Sequence, residues 1–466
     1  MKRLLSGARP AYLGCALYQL LLTLVVLIQS NGSALRRVYT TVEEHTYYHT
    51  EPTAILPALL VGGALMLALE IAGFLLDFLL DQQGQFVKLL TPVFLLLGTG
   101  IVFQAVIHPQ GAMRHILTIV TGLVFAAICF ILSSLTLSKR EFRGVLICVI
   151  GVSMLAVLIA LTIRRNRTGG LWGELSKLLS IYLCAVAFPH VQDSDCRKLF
   201  FGGLGALLVS VVIMKDFGTA AVLGCVLLCA LLYVSPVLTL ACAAGMSALA
   251  AVGVLALRIF KPTSYILTRI SACGKVLLDS EANENFRRML LSVVRAGVFG
   301  TGASPANTFY AAYGFGSQHD FCFLALTATF GMGMAILVVL CFAALALECC
   351  KYTAARSNRR IISINMPGFF IVLQAAISIL GQLNLIPLTG IPIPFIAYGG
   401  SAMLSCLGVV GIALAARLST PERSSIEYRA DKILNHLPFR RVEPENLYAR
   451  LDELKEAVER KKASMK

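Results

Sequence analysis

The stretch Leu388–Ala402, LTGIPIPFIAYGGSA, decides how the rest of the chain is read. It lies late in an apolar run. Two prolines, Pro392 and Pro394, and three glycines, Gly390, Gly399 and Gly400, stand where a lipid-spanning helix would otherwise continue. Proline lacks an amide donor and glycine favours bends, so an unbroken helix is not expected here. Irregular backbone at membrane depth is tolerated where protein buries it or where it lines a cavity. The stretch therefore reads as a re-entrant turn over Pro387–Pro394. Gly399 and Gly400 then begin a last span that packs closely on a neighbour or a lipid chain.

The composition around it is that of a membrane protein. The chain has 466 residues, 57% hydrophobic and 14% charged. Twelve apolar segments recur, from Ala11–Gln29 and Ala54–Leu80 to Phe369–Ile386 and Phe395–Arg417. About 20 apolar residues are needed to cross the hydrocarbon core as a helix. Backbone polar groups in lipid must pair within their own segment, so runs of this length exclude a barrel. The expected fold is all-α, a polytopic helical bundle of about twelve transmembrane helices. Val145–Ile163, the short Leu175–Pro189 and the long Phe321–Leu347 are among its spans. The first apolar run lacks a small-residue cleavage site, so no signal peptide is expected.

The formal net charge of +15 fits cytoplasmic loops that collect Lys and Arg, and no basic, aromatic module stands apart from the spans, so no nucleic-acid partner is expected. Fourteen cysteines lie mostly in apolar runs and form no CxxC pair, which marks them as packing residues. Lys2, Arg3 and Arg9, then Arg356–Arg360, set both termini in the cytoplasm. Arg164, Arg165, Arg167, Lys215, Arg258 and Lys261 then fall outside, against the charge rule. Such an external cationic cluster calls for an anionic partner. Residues 1–163 read as N-terminal spans and 164–417 as a core with a large external loop, 261–319. Residues 418–466 read as a cytoplasmic tail with one amphipathic helix.

Several polar groups are candidates for chemistry. Asp320, in GSQHDFCFLAL, stands at the outer mouth of an apolar span. It reads either as a helix N-cap or as a general base open to water and to a lipid-borne substrate. Glu174 and Lys177 share one helix face, and Lys215 and Asp216 separate two spans. The segment ANENFRRMLLSVV is amphipathic and suits the interface plane, and RAGVFGTG after it reads as a tight turn at the membrane surface. His45 and His49 have HxxxH spacing without a convincing third ligand, so no metal site is assigned.

Together these motifs resemble the SEDS family, the proteins of shape, elongation, division and sporulation. LIPLTGIPIPFIAYGGSA is similar to that family's LLPvTGIPLPFiSYGGSS, with Pro387, Thr389, Gly390, Pro394, Phe395, Tyr398, Gly399, Gly400 and Ser401 matching. Gln374 matches a family glutamine. KDFGTA resembles QPDLGTA through Asp216, and GELSK resembles the end of QPSELAK through Glu174 and Lys177. Tyr265 and Arg269 resemble a Y-x-x-x-R, and Gly297–Gly302 resembles GGLFGKG. HDFCF resembles HTDFIF, which puts Asp320 on the family's proposed catalytic aspartate. The likeness runs from Arg164 to Arg417. Departures mark a divergent member: Thr301 replaces a lysine, Ala328 and Thr329 replace two glutamates, and RRNRTGG shortens NGARRW.

The resemblance implies a peptidoglycan glycosyltransferase that polymerises lipid II at the outer face of the bacterial cytoplasmic membrane. Asp320 would be the base. Lys177, Glu174, Arg269, Asp216, Arg164, Arg167, Gln374, Tyr398 and Ser401 would bind substrate, with a divalent cation (Mg or Mn) as an optional aid. A class B penicillin-binding protein would be the partner. A lipid-linked precursor transporter and an inactive scaffold are the competing readings.

Overall fold

The computed structural model of the chain describes residues 2–33, 55–80, 85–138, 169–187, 194–213, 216–260, 284–302, 318–353 and 359–418, with 267, 270, 271 and 273 besides. All lie in the unit Met1–Ser419. Arg164, Arg167, Lys215, Arg269, His45, His49, the segment Val145–Ile163 and the tail from 419 fall outside the described residues.

Among the described residues the chain is all helical, with thirteen helices and no strand. They are α1 (Lys2–Ser33), α2 (Ile55–Leu80), α3 (Gln85–Ile107), α4 (Pro109–Ser138), α5 (Gly169–Ala187), α6 (Ser194–Ile213) and α7 (Phe217–Val234). Then come α8 (Pro236–Phe260), α9 (Glu284–Ala296), α10 (Cys322–Phe330), α11 (Met332–Thr353), α12 (Arg359–Gln382) and α13 (Gly400–Leu418). Six of them, α1–α4, α12 and α13, are long and apolar enough to cross a membrane, and α7, α8 and α11 carry shorter apolar stretches. The chain is a multi-pass membrane protein. Eleven of the twelve apolar segments coincide with described helices.

Membrane helices are apolar all round, so what marks their inner face is buried polar residues. On α1, Leu13, Leu17, Leu20, Leu24 and Ile28 are exposed, whereas Tyr12, Cys15, Gln19 and Val26 are buried. Glu70 and Asp77 of α2 and Thr99 of α3 are likewise buried. The α3 helix packs against α1, α2, α4 and α11, and α13 lies along α4 and against α5 and α12.

Phe321–Leu347, a single span by hydropathy, is two helices. The α10 helix stops at Phe330, and Gly331 adopts φ +88°, which side-chain-bearing residues rarely take. A Cβ there would also lie 2.1 Å from the Val298 carbonyl oxygen. The turn after α9 fills this break. Thr301 N and Gly302 N donate to Ala328 O and Thr329 O at 2.9 and 3.0 Å, and Met332 N donates to Gly297 O at 3.0 Å. The α9 helix buries Phe286, Met289, Val293 and Ala296 along one face and packs on α10. Val294 and Phe299 stay exposed, an apolar knuckle beside the exposed Arg295.

Candidate functional site

The segment between α12 and α13 is where the elements converge. It has no helical ladder, so its carbonyls need other donors. Polar side chains on neighbouring helices supply them. Ser378 Oγ of α12 donates to Ile391 O at 2.8 Å, and Gln374 Nε2 donates to Pro392 O at 3.3 Å. From the other side, Gln104 Nε2 of α3 donates to Ile396 O at 3.1 Å. Phe395, fully buried, has φ +67°. A non-glycine residue held there costs about 1–3 kcal/mol, strain of the kind concentrated at functional sites.

This loop grips the segment that carries Asp320. Tyr398 N donates to Gln318 O at 2.9 Å, and Gln104 Nε2 reaches the same carbonyl at 3.5 Å. Asp320 sits in the turn before α10 and is partly exposed. It does not cap that helix. The N-cap position is Phe321, without a side-chain cap. The first free amides, Phe323 N and Leu324 N, donate instead to Gln382 Oε1 of α12, at 2.8 and 3.4 Å. Gln382 is itself fixed by Nε2 donating to Ser378 Oγ at 3.0 Å. These first-turn amides of α10 are thus capped from a distant helix.

Asp216 does what Asp320 does not. It is the N-cap of α7, and Oδ1 accepts from Thr219 N at 3.0 Å. Its Oδ2 lies against α5 near its start, where a Cβ on Gly173 would come within 2.5 Å. Two residues on, Gly218 packs directly on the loop, since a Cβ there would lie 2.8 Å from Thr389 O.

On α5, Lys177 Nζ donates to Glu174 Oε1 at 2.6 Å, with the lysine buried. Ser405 Oγ of α13 donates to the other carboxylate oxygen of Glu174. Gln374 Nε2 also faces Cys406 Sγ, the neighbour of Ser405, at 3.8 Å. Glu174, Lys177 and Gln374 thus belong to one buried polar cluster behind the loop. Tyr398 belongs to the Asp320 side, and Ser401 is half-buried in the first turn of α13.

Sequence reasoning missed the histidines. His319, His115 and His108 surround the Tyr398 ring at centroid distances of 5.4, 5.9 and 6.1 Å. His108 joins α3 to α4, and His115 lies one and a half turns into α4 with neither ring nitrogen hydrogen-bonded. The signal available was weak: a histidine beside Asp320, and two more seven residues apart at a helix start. Burial holds the pKa of His319 below the ordinary histidine value, against the pull of Asp320 and of a hydrogen bond to the Tyr398 backbone. His108 is also lowered, by burial first and then by Arg114 and His319. Among the described residues no three His, Cys, Asp or Glu side chains are grouped to hold a metal ion.

Residues 85–422 match the family profile of FtsW, RodA and SpoVE, described as cell cycle protein. The match takes in α3 and α4 and begins after α1 and α2. A probable peptidoglycan glycosyltransferase FtsW of Lactococcus lactis is 25% identical over 397 residues, 72% of this chain and 92% of the relative. Another of that name, from Enterococcus hirae, is 30% identical over 135 residues, 25% of this chain and 34% of the relative. A third, from Bacillus subtilis, is 23% identical, covering 64% of this chain and 79% of its own length. A chain solved within a peptidoglycan synthase complex that coordinates polymerization and crosslinking aligns with TM-score 0.51 at 21% identity. It covers 71% of this chain and 96% of itself, and shares the fold.

Proposed function

This chain belongs to the FtsW, RodA and SpoVE family of cell cycle proteins, and we propose that it polymerises lipid II into glycan strands at the outer face of the cytoplasmic membrane. The observation that carries this reading is Asp320. Its carboxylate precedes α10 without capping it, in a segment tied by Gln318 to the hallmark loop. A structural aspartate at a helix start has its oxygen on the first-turn amides, as Asp216 does. Asp320 has been relieved of that duty by Gln382.

The reaction needs one base. The acceptor sugar hydroxyl gives its proton to Asp320 as its oxygen attacks the anomeric carbon of the donor. The bond from that carbon to the lipid pyrophosphate breaks, and the leaving group departs with the electron pair. The leaving group is already activated, so a second carboxylate is not required, unlike in glycosidases. Charge on the pyrophosphate is met by cations, for which Arg164, Arg167 and Arg269 are the candidates by family position. Lys177 is buried on Glu174, so its contribution is to hold α5 and α13 against the loop, and it reaches an anion only if that pair opens. A divalent ion would arrive on the pyrophosphate. In this reading both termini are cytoplasmic and a class B penicillin-binding protein crosslinks the product. The solved neighbour's membership of a synthase complex supports that pairing.

The reading as an inactive scaffold drew on Thr301, Ala328 and Thr329, where the family motif carries charges. Those positions touch: Thr301 N and Oγ1 both donate to Ala328 O, at 2.9 and 3.0 Å. Loss of the lysine and of a glutamate at these touching positions removes opposite charges together and keeps the backbone pairing. It is one exchange at the break between α10 and α11, and it leaves Asp320 in place. The test is lipid II polymerisation by the purified protein. Asp320→Ala is expected to make no polymer while folding normally. Undiminished polymer from that variant, or lipid translocation in vesicles without polymer, would overturn the assignment.

A further inference from the structure

The two helices ahead of the family match, α1 and α2, meet α3 through a seam that is not apolar. Tyr12, Cys15 and Gln19 lie at i, i+3 and i+7 on the buried face of α1. Glu70, Gly73 and Asp77 repeat that spacing on the buried face of α2, and Thr91 and Gly98 stand two turns apart on one face of α3. These three faces meet. A Cβ on Gly73 would lie 3.2 Å from the Tyr12 hydroxyl, so Tyr12 rests on α2 between the turns that carry Glu70 and Asp77. Gln19 Oε1 takes the space that a Cβ on Gly98 would fill, and Cys15 Sγ donates to Thr91 O at 3.9 Å. The start of α1 thus meets the end of α2, so the two run antiparallel. Helical side chains lean back towards their own N-terminus, which brings Gln19 and Glu70 towards each other at the level of Cys15.

Polar atoms crowd this seam. The Tyr12 hydroxyl, both ends of the Gln19 amide and Thr91 Oγ1 are buried and make no hydrogen bond among the described residues. Tyr12 is 5% exposed, Gln19 6% and Glu70 4%. Among the described residues of α1, α2 and α3 the buried charged side chains are both acidic, Glu70 and Asp77, and Lys88 is exposed. A carboxylate in hydrocarbon without a cation is costly, and so is each unmet amide or hydroxyl. One small cation answers both. Its charge offsets the carboxylate, and carboxylate, carbonyl and hydroxyl oxygens are the ligands a hard cation takes. Asp77 lies two turns from Glu70 and has an interaction of its own, so a single carboxylate faces the ion and a single positive charge balances it.

We propose that Glu70, Gln19 and Thr91 form an intramembrane site for a sodium ion, which clamps α1 and α2 onto α3. Glu70 supplies the charge, and Gln19 Oε1 and Thr91 Oγ1 supply neutral oxygens. Tyr12 and Asp77, one tier nearer the start of α1, are the polar approach to it. The site lies apart from the hallmark loop and is independent of Asp320.

The test uses the full chain in lipid nanodiscs, at one pH and one ionic strength, in sodium chloride and in choline chloride. Saturating sodium is expected to raise the melting temperature by about 3 °C or more, because the ion binds only the folded chain. Glu70→Gln and Gln19→Leu should lose that rise. A second measurement needs no variant. Dicyclohexylcarbodiimide, which reacts with carboxyl groups inside membranes, should label Glu70 in choline, and sodium should cut the labelling about tenfold, read by mass spectrometry of the labelled peptide. Equal melting temperatures in the two salts, a rise that survives Glu70→Gln, or the lack of sodium-sensitive labelling at Glu70 would each rule the site out.

Discussion

The amide of Tyr398 donates to the carbonyl of Gln318 at 2.9 Å, two residues before Asp320. Through this bond the hallmark loop is the part that fixes where Asp320 stands, and Gln104 braces the joint by reaching both Gln318 O and Ile396 O. Gln104→Leu leaves the Ile396 carbonyl buried without its donor. It should cost about 1–3 kcal/mol in stability and lower the polymerisation rate, measured by thermal melting and by turnover of lipid II.

Gln382 offers a separate handle on the same segment. Gln382→Leu strips the acceptor from Phe323 N and Leu324 N, which are buried amides of the first turn of α10. A loss of about 1–3 kcal/mol is expected, read as a lowered melting temperature. Lengthening the nearby carboxylate by Asp320→Glu is not expected to restore the cap. Recovery of stability in the double variant would show that Asp320 is a latent cap.

The Lys177–Glu174 pair separates a structural role from a substrate role. Lys177→Met alone strands the Glu174 carboxylate and should destabilise by about 3–5 kcal/mol, whereas Lys177→Met with Glu174→Gln should recover most of that. Activity that recovers with stability marks the lysine as scaffolding. Activity that stays lost, with raised KM for lipid II, marks it as a ligand of the pyrophosphate.

The histidines give stability a pH dependence of known sign. His108 and His319 have folded pKa values lowered from 6.5, so between the lowered values and 6.5 the unfolded chain binds more protons. Their contribution is present above 6.5 and is lost as pH falls through the lowered values. Melting temperature should therefore drop as pH is taken from 7 towards 5, less steeply in His108→Gln and His319→Gln.

Much of the fold was legible because lipid imposes a simple rule: long apolar runs are helices. Phe321–Leu347 shows where that rule is blind, since hydropathy does not register a kink set by Gly331 and by the Val298 backbone packed on it. In the site, the motif strings named the right loops but not their division of labour. Asp216 and Asp320 look alike in sequence, each an aspartate before an apolar helix, and the hydrogen bonds separate them: Asp216 caps α7, whereas Gln382 takes the first-turn amides of α10. The partner that settles it, Gln382, is about sixty residues from Asp320. His108 and His115 were illegible for the same reason: nothing local links them to Tyr398. Thr301 and Ala328 read as separate departures until the backbone placed them in contact.

The most direct measurement is the rate of lipid II polymerisation by purified Asp320→Asn protein beside wild type, in the same membrane and with matched melting curves. The account predicts a loss of at least about 100-fold with the fold intact, because the substitution removes the proton acceptor and no cap. Polymer formed at the wild-type rate would contradict it.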